Sequence, residues 1–180
     1  MSQVLFDQDE QNADFARQLG TAALLMLQCK RYPFFPMACL SAWIQPPILL
    51  RQIKFFFDYK GRPIGYMTWA FLAPDVEEKW TSDPKALLHF SEWNEGDRLW
   101  IMDFVAPSGF APTIARYATQ NMFPGHTEAR SLRRRADGSI RCVNTWRRRS
   151  GVGGLAELQA DGGADAGAHA AADARAHAGP

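Results

Sequence analysis

Between Asp14 and Gln28 the apolar residues Phe15, Leu19, Ala22, Ala23, Leu25 and Met26 recur at helical spacing, which predicts an amphipathic helix that Pro33 and Pro36 terminate. A second apolar stretch, Met37 to Ile44, carries few polar residues and reads as a short buried helix stopped by Pro46-Pro47. Gln52 to Tyr59 and Pro63 to Leu72 flank Lys60-Gly61-Arg62 and predict two strands joined by a tight turn. Ala73 to Asp97 is a polar connection with one expected helical piece at Pro84 to Phe90. The aromatic and β-branched run Arg98 to Val105 then reads as a strand. Ala111 to Met122 is a predicted helix closed by Phe123-Pro124-Gly125. Ala129 to Arg135 and Ser139 to Arg147 flank Asp137-Gly138 as a final hairpin. Helices, hairpin, strand, helix and hairpin in this order fit an α+β domain with a central, mostly antiparallel sheet.

From Gly151 onward alanine, glycine and aspartate dominate, and no bulky apolar side chain follows Leu158. Such a segment buries too little to offset the entropy of ordering. The expected organisation is therefore a flexible N-terminus over 1–13, one domain over 14–150, and an Ala/Gly-rich disordered tail over 151–180. With 180 residues, 47% of them hydrophobic, the chain can bury one sizeable core. A formal net charge of +1 gives no global pull toward nucleic acid or membrane, so any charged partner must meet a local patch. Cys29, Cys39 and Cys142 form no CxxC pair, which favours reduced thiols and a cytoplasmic setting over a disulfide framework or a zinc site. Neither a secretory leader nor an apolar stretch of about 20 residues is present, so no stable membrane insertion is expected.

Walker, GxGxxG, GxSxG and HExxH patterns do not occur, which removes the commonest motif-borne nucleotide, hydrolase and zincin chemistries. What stands out is Asp103, a carboxylate inside an apolar strand, where an unpaired charge is costly to bury. Simple alternation puts Leu99, Ile101, Asp103 and Val105 on one face and Trp100, Met102 and Phe104 on the other. On the residues alone, Asp103 reads either as a structural carboxylate paired with an arginine or a turn, or as a reacting group.

Three ordered blocks are distinctive: Gly65-Tyr66-Met67-Thr68-Trp69-Ala70; Trp93-Asn94-Glu95-Gly96-Asp97-Arg98-Leu99-Trp100; and Asp103-Phe104-Val105-Ala106-Pro107-Ser108-Gly109. Together they resemble the RTX toxin-activating lysine acyltransferases, over about Leu24 to Arg149. That resemblance implies a GNAT-like acyltransferase fold, with transfer of a fatty acyl group from acyl carrier protein to internal lysines of an RTX-type protoxin. No other cofactor is implied. It also implies a catalytic histidine and aspartate. Asp103 matches the aspartate, while the histidine position falls on Tyr32, within Lys30-Arg31-Tyr32-Pro33. Presenting a neutral lysine amine at pH 7 costs about 4.6 kcal/mol, given a reference pKa of about 10.4. Tyr32 is then either a donor to the developing oxyanion, with Asp103 or a water receiving the amine proton, or a packing residue in a catalytically impaired binding protein. Gly65, Tyr66, Trp69, Trp93, Arg98, Trp100 and Pro107 are read as fold and acyl-pocket residues.

His89 and His126 lie in predicted loops, and His169 and His177 in the tail, so none is assigned the missing imidazole's role. Arg130, Arg133, Arg134, Arg135, Arg141, Arg147, Arg148 and Arg149 crowd the last hairpin. They read either as a solvated edge or as a dock for an acidic acyl carrier protein. Binding of single-stranded nucleic acid through these arginines with Trp146 and Trp100 is the weaker reading, because only Trp146 lies within the basic segment. A second copy of the chain is a further candidate partner.

Overall fold

The computed structural model describes residues 10–30, 32, 35–107, 109–135, 139–148 and 158–160, with backbone alone at 10–13, 148 and 158–160. The chain runs α1 (Glu10–Leu27), a single π turn (Leu40–Ile44), α2 (Gln45–Leu49), β1 (Ile53–Phe57) and β2 (Pro63–Leu72). It continues through α3 (Pro74–Ser82), a 3-10 turn (Ser91–Trp93), β3 (Arg98–Val105), α4 (Ala111–Asn121), β4 (Glu128–Arg134), β5 (Ile140–Arg148) and β6 (Leu158–Ala160). The Asp137-Gly138 turn, His169, His177, Arg149 and most of the proposed tail lie outside the described residues. Leu158–Ala160, within that tail, pairs antiparallel with β5.

Six strands form one sheet in sequence order, antiparallel throughout except where β3 and β4 run parallel. This is the expected α+β, GNAT-like arrangement. The parallel junction is brief: only Trp100↔Arg130 and Ile101↔Ser131 pair across it. Beyond Ile101 the two strands part, and Met102 to Val105 have no partner on the β4 side. A gap therefore opens between the two halves of the sheet, at the level of Asp103.

Two expectations are corrected by backbone chemistry. Pro46 and Pro47 do not stop the second helix; both are buried within α2 at its start, where a missing N–H costs nothing. The π turn just before them closes with the Gln45 N–H on the Leu40 carbonyl. The helical piece between β2 and β3 is Pro74–Ser82, not Pro84–Phe90. Pro74 opens it, and Asp75 and Glu77 place negative charge at its positive end.

The apolar core divides into two clusters on one face of the sheet. In the first, Ala22, Leu25 and Met26 of α1 pack with Ile44, Ile48, Tyr66 and Val105. The second gathers Ala70, Leu72, Val76, Trp93 and Trp100. On the opposite face Trp69 meets Phe123 edge to face at 5.4 Å, and α4 lies close against β2. That closeness depends on Gly65, where an added Cβ would fall 2.6 Å from the Val105 carbonyl oxygen and 2.8 Å from Ile114 Cδ1.

Gly96 is tighter still. Its N–H donates to the Phe71 carbonyl at 2.9 Å, and a Cβ there would overlap the Leu72 carbonyl and the Ala73 nitrogen. Because those neighbours are backbone atoms, Gly96→Ala is expected to lose about 3 kcal/mol in urea denaturation; a loss under about 1 kcal/mol would show that the 94–97 loop moves aside freely.

Candidate active site

Asp103 is positioned by an irregularity in β3. Thr68 pairs with Asp103 but Trp69 pairs with Ile101, so Met102 is an extra residue without a partner on β2. This bulge overturns the predicted alternation. Trp100, Met102, Asp103 and Val105 share the face packed by α1, α2 and α3, whereas Leu99 faces Phe123 and His126 on the other side. The carboxylate therefore points among aromatic groups that regular alternation would have kept from it.

Two phenols hold it. Tyr32 donates to Asp103 Oδ1 at 2.6 Å and Tyr66 donates to Oδ2 at 2.8 Å, while the Phe104 N–H donates to Oδ1 at 3.0 Å. Tyr66 is fully buried on β2 and Tyr32 is 6% exposed. Burial first, and then the negative charge of Asp103, push the Tyr66 phenol far above its ordinary pKa, so it remains a hydrogen-bond donor at any physiological pH. Tyr32 is set by the bend after α1: its N–H donates to the Cys29 carbonyl at 3.2 Å, and its ring meets Phe35 edge to face at 5.3 Å. Its hydroxyl proton points to Asp103, so in this arrangement it is not aimed at an oxyanion. A phenol oxygen can take up one proton as it passes its own on.

Tyr32 and Asp103 line a cleft of about 80 Å³ in the gap between β3 and β4. Trp43, Trp80, Leu88, Trp93, Met102 and Leu132 make its apolar walls, and Thr68 and Arg134 complete it. Arg134 lies 4.9 Å over the Trp80 ring and donates to the Pro84 carbonyl at 2.7 Å. Neither His89 nor His126 lines this cleft. His89 is exposed and its ring contacts Ser91 Oγ at 3.1 Å, while His126 packs against Phe71 on the opposite face. The two candidate residues named from sequence, Tyr32 and Asp103, are thus in direct contact across 71 positions of chain.

Sequence reading missed Glu77, which pins the junction beside the cleft. This carboxylate is 6% exposed and accepts from Trp100 Nε1 at 2.8 Å, from Arg130 Nη1 at 2.6 Å and from Arg98 Nη1. It ties α3 to both strands of the parallel pair. Burial pushes its pKa up, but these three donors outweigh that and hold it below the usual carboxylate range. The same contacts alter the reading of the basic hairpin. Arg130 serves Glu77 and Glu128, Arg147 also reaches Glu128 at 3.2 Å, and Arg134 is turned into the cleft. Trp100 is fully buried and Trp146 donates to Ser131 Oγ at 3.0 Å. A stacking platform for nucleic acid therefore lacks one of its two indoles.

Residues 11–147 match the model of the RTX toxin acyltransferase family. The chain belongs to this family. Among its relatives are protein-lysine palmitoyltransferase CyaC of Bordetella bronchiseptica, 31% identical over 150 residues that make up 82% of this chain and 78% of the relative. Another is protein-lysine myristoyltransferase RtxC of Kingella kingae, 32% identical over 100 residues, 56% of this chain and 59% of the relative. An uncharacterized protein of Synechocystis sp. is 28% identical over 128 residues, 71% of this chain and 86% of the relative. Within the distinctive blocks, Tyr66, Trp93 and Trp100 contribute to the core, Arg98 and Trp100 to the Glu77 junction, and Trp93 and Asp103 to the cleft, while Gly65 and Gly96 permit close backbone approach. No helix among the described residues is long and apolar enough to cross a membrane.

Proposed function

We propose that this chain transfers a fatty acyl group from a thioester on acyl carrier protein to lysine ε-amino groups of an RTX-type protein, in the cytoplasm where acyl chains are assembled. The observation that carries this reading is Asp103 held between two phenols in an aromatic-walled cleft, within the family-matched segment. A carboxylate has about four lone-pair sites, and three are engaged here, which leaves one on Oδ2 for an incoming ammonium. After the ammonium has given one proton to solvent, the neutral amine attacks the thioester carbonyl. The new C–N bond pushes the carbonyl π pair onto oxygen. Collapse restores C=O and expels the thiolate.

The nitrogen becomes strongly acidic as it bonds to carbon, and its remaining extra proton needs a path. Tyr32 provides one: its oxygen accepts from the amine while its own proton passes 2.6 Å to Asp103, which later returns a proton to the thiolate. In this scheme Tyr32 works as a relay at the position where the resemblance implies an imidazole base. The reaction needs no cofactor besides the acyl donor.

Acyl-lysine formation measured by mass spectrometry tests the scheme. Tyr32→Phe is expected to slow transfer about 100-fold, and Tyr32→His to retain or raise it. Unchanged activity in the Phe variant would remove Tyr32 from the chemistry. A second reading, a catalytically impaired member that only binds its partners, is favoured by one observation: neither described histidine lines the cleft. A wild-type protein that forms no acyl-lysine, alongside an active Tyr32→His variant, would establish that reading instead.

A further inference from the structure

The cleft contains donors that the chemistry above does not use. Thr68 is fully buried, and its hydroxyl has no hydrogen-bond partner among the described residues. Trp93, 2% exposed, and Trp80 also have buried indole N–H groups without a partner among the described residues. All three residues line the same cleft as Asp103. A buried donor without an acceptor costs about 1–3 kcal/mol, so three of them around one cavity mark a place built for oxygen atoms of a ligand. An indole N–H only donates, which excludes a cation or a donor-only ligand there.

Position then singles out Thr68. It is the direct cross-strand partner of Asp103, on the same face of the sheet. Residues so paired have their Cβ atoms about 4.5–5.5 Å apart. An oxygen resting on the Thr68 hydroxyl therefore lies about one reacting-group length from an amine held at Asp103. That is the spacing needed between the carbonyl of an acyl thioester and the nitrogen that attacks it.

We propose that Thr68 is a catalytic residue, whose hydroxyl donates to the thioester carbonyl oxygen and to the oxyanion formed from it. Trp93 and Trp80 direct their N–H groups toward other oxygens of the same acyl-bearing arm. The inference rests on the acyl-transfer reading and supplies the half of the site that Tyr32 and Asp103 lack. They manage the proton on nitrogen; Thr68 stabilises the charge on oxygen. When the thiolate leaves, the electron pair returns to the carbonyl and Thr68 keeps its own proton throughout.

The test uses palmitoyl-acyl carrier protein labelled with ¹³C at the thioester carbonyl, a lysine-bearing RTX-type protein, and the wild-type, Thr68→Val and Thr68→Ser proteins. Removing a single oxyanion donor costs about 10²–10³ in kcat. Thr68→Val is expected to lose about 100-fold in kcat with KM for the donor changed less than about threefold, and Thr68→Ser to stay within about tenfold of wild type. Bound to the wild type, the labelled carbonyl should show an infrared stretch lowered from its value in buffer, and Thr68→Val should abolish that shift. Thermal denaturation should show the Val variant at least as stable as wild type, because no bond within the free protein is lost.

A Val variant within about threefold of wild-type kcat, or a Ser variant as slow as Val, would overturn the role of the hydroxyl. The infrared arm separates the two levels of the reading. A Thr68-dependent carbonyl shift without any acyl-lysine would sink lysine transfer and keep Thr68 as the carbonyl donor. Normal transfer with no shift would sink Thr68 alone, and a labelled donor that does not bind would sink both.

Discussion

Asp103→Asn is expected to lower kcat for acyl-lysine formation about a thousandfold while leaving the protein folded. The substitution preserves size and one oxygen acceptor, and the neighbouring phenols can turn to accept from the amide N–H groups. Tyr66 stays protonated, since burial, the largest cause of its raised pKa, is unaffected. What disappears is the negative charge. The incoming ammonium loses its counter-charge, and the proton leaving the acylated nitrogen loses its destination, because a neutral amide cannot hold it. Single-turnover transfer from acyl carrier protein, with circular dichroism as a check on folding, measures this directly. Activity within tenfold of wild type would show that Asp103 is a structural carboxylate for two tyrosines and nothing more.

The second large effect concerns stability. Glu77→Ala removes the acceptor of three donors and leaves the Trp100 indole N–H, at 0% exposure, without a partner beside two arginines. Breaking a buried pair by deleting one member costs about 3–5 kcal/mol. Since Arg98 and Arg130 retain access to water, the lower end applies: about 3 kcal/mol, or a fall in Tm of about 10 °C for a chain of this size. The pH dependence follows from the depressed carboxyl pKa. The stabilisation from Glu77 is complete above its unfolded value of about 4.3 and disappears as pH falls through the folded value. The gap between wild type and variant should therefore be constant near neutrality and narrow only in acid. A Tm change under about 2 °C at pH 7 would show that water replaces the carboxylate without penalty. Because the junction borders the cleft, the same variant should also bind the acyl donor more weakly.

Much of this architecture was legible in the chain because period and punctuation carry it. The strands at Ile53–Phe57, Pro63–Leu72 and Arg98–Val105 follow their β-branched and aromatic runs, and α1 and α4 follow helical spacing. Punctuation misled at Pro46-Pro47, since proline ends a helix from inside but is welcome in its first turn. The helix Pro74–Ser82 was obscured by its charge: Asp75, Glu77, Glu78 and Lys79 look like loop, and only Val76 and Trp80 mark an apolar side. Glu77 gave no signal at all, since its three partners lie 21, 23 and 53 positions away. The same limit hid Thr68 as a site residue and Tyr66 as a partner of Asp103. Strand alternation puts them on one side of β2, yet only the β2–β3 register reveals that Asp103 sits on that side too.

Met102 has the wider implication. It is a single unpaired residue, and its own side chain does no more than help to wall the cleft. Yet its bulging out, instead of pairing, sets the parity of everything after it in β3. Were Met102 paired in its turn as in a regular strand, Asp103 would change sides, toward α4 and away from both phenols; were it deleted, the strand would pair with β2 without a bulge and Asp103 would still sit opposite Thr68. In this fold the chemistry depends on where the strand absorbs one residue between Trp100 and Asp103 as well as on the residues themselves. Identities alone do not record where that residue is absorbed: a strand with the same letters and its bulge beyond Asp103 would carry the carboxylate on the α4 side.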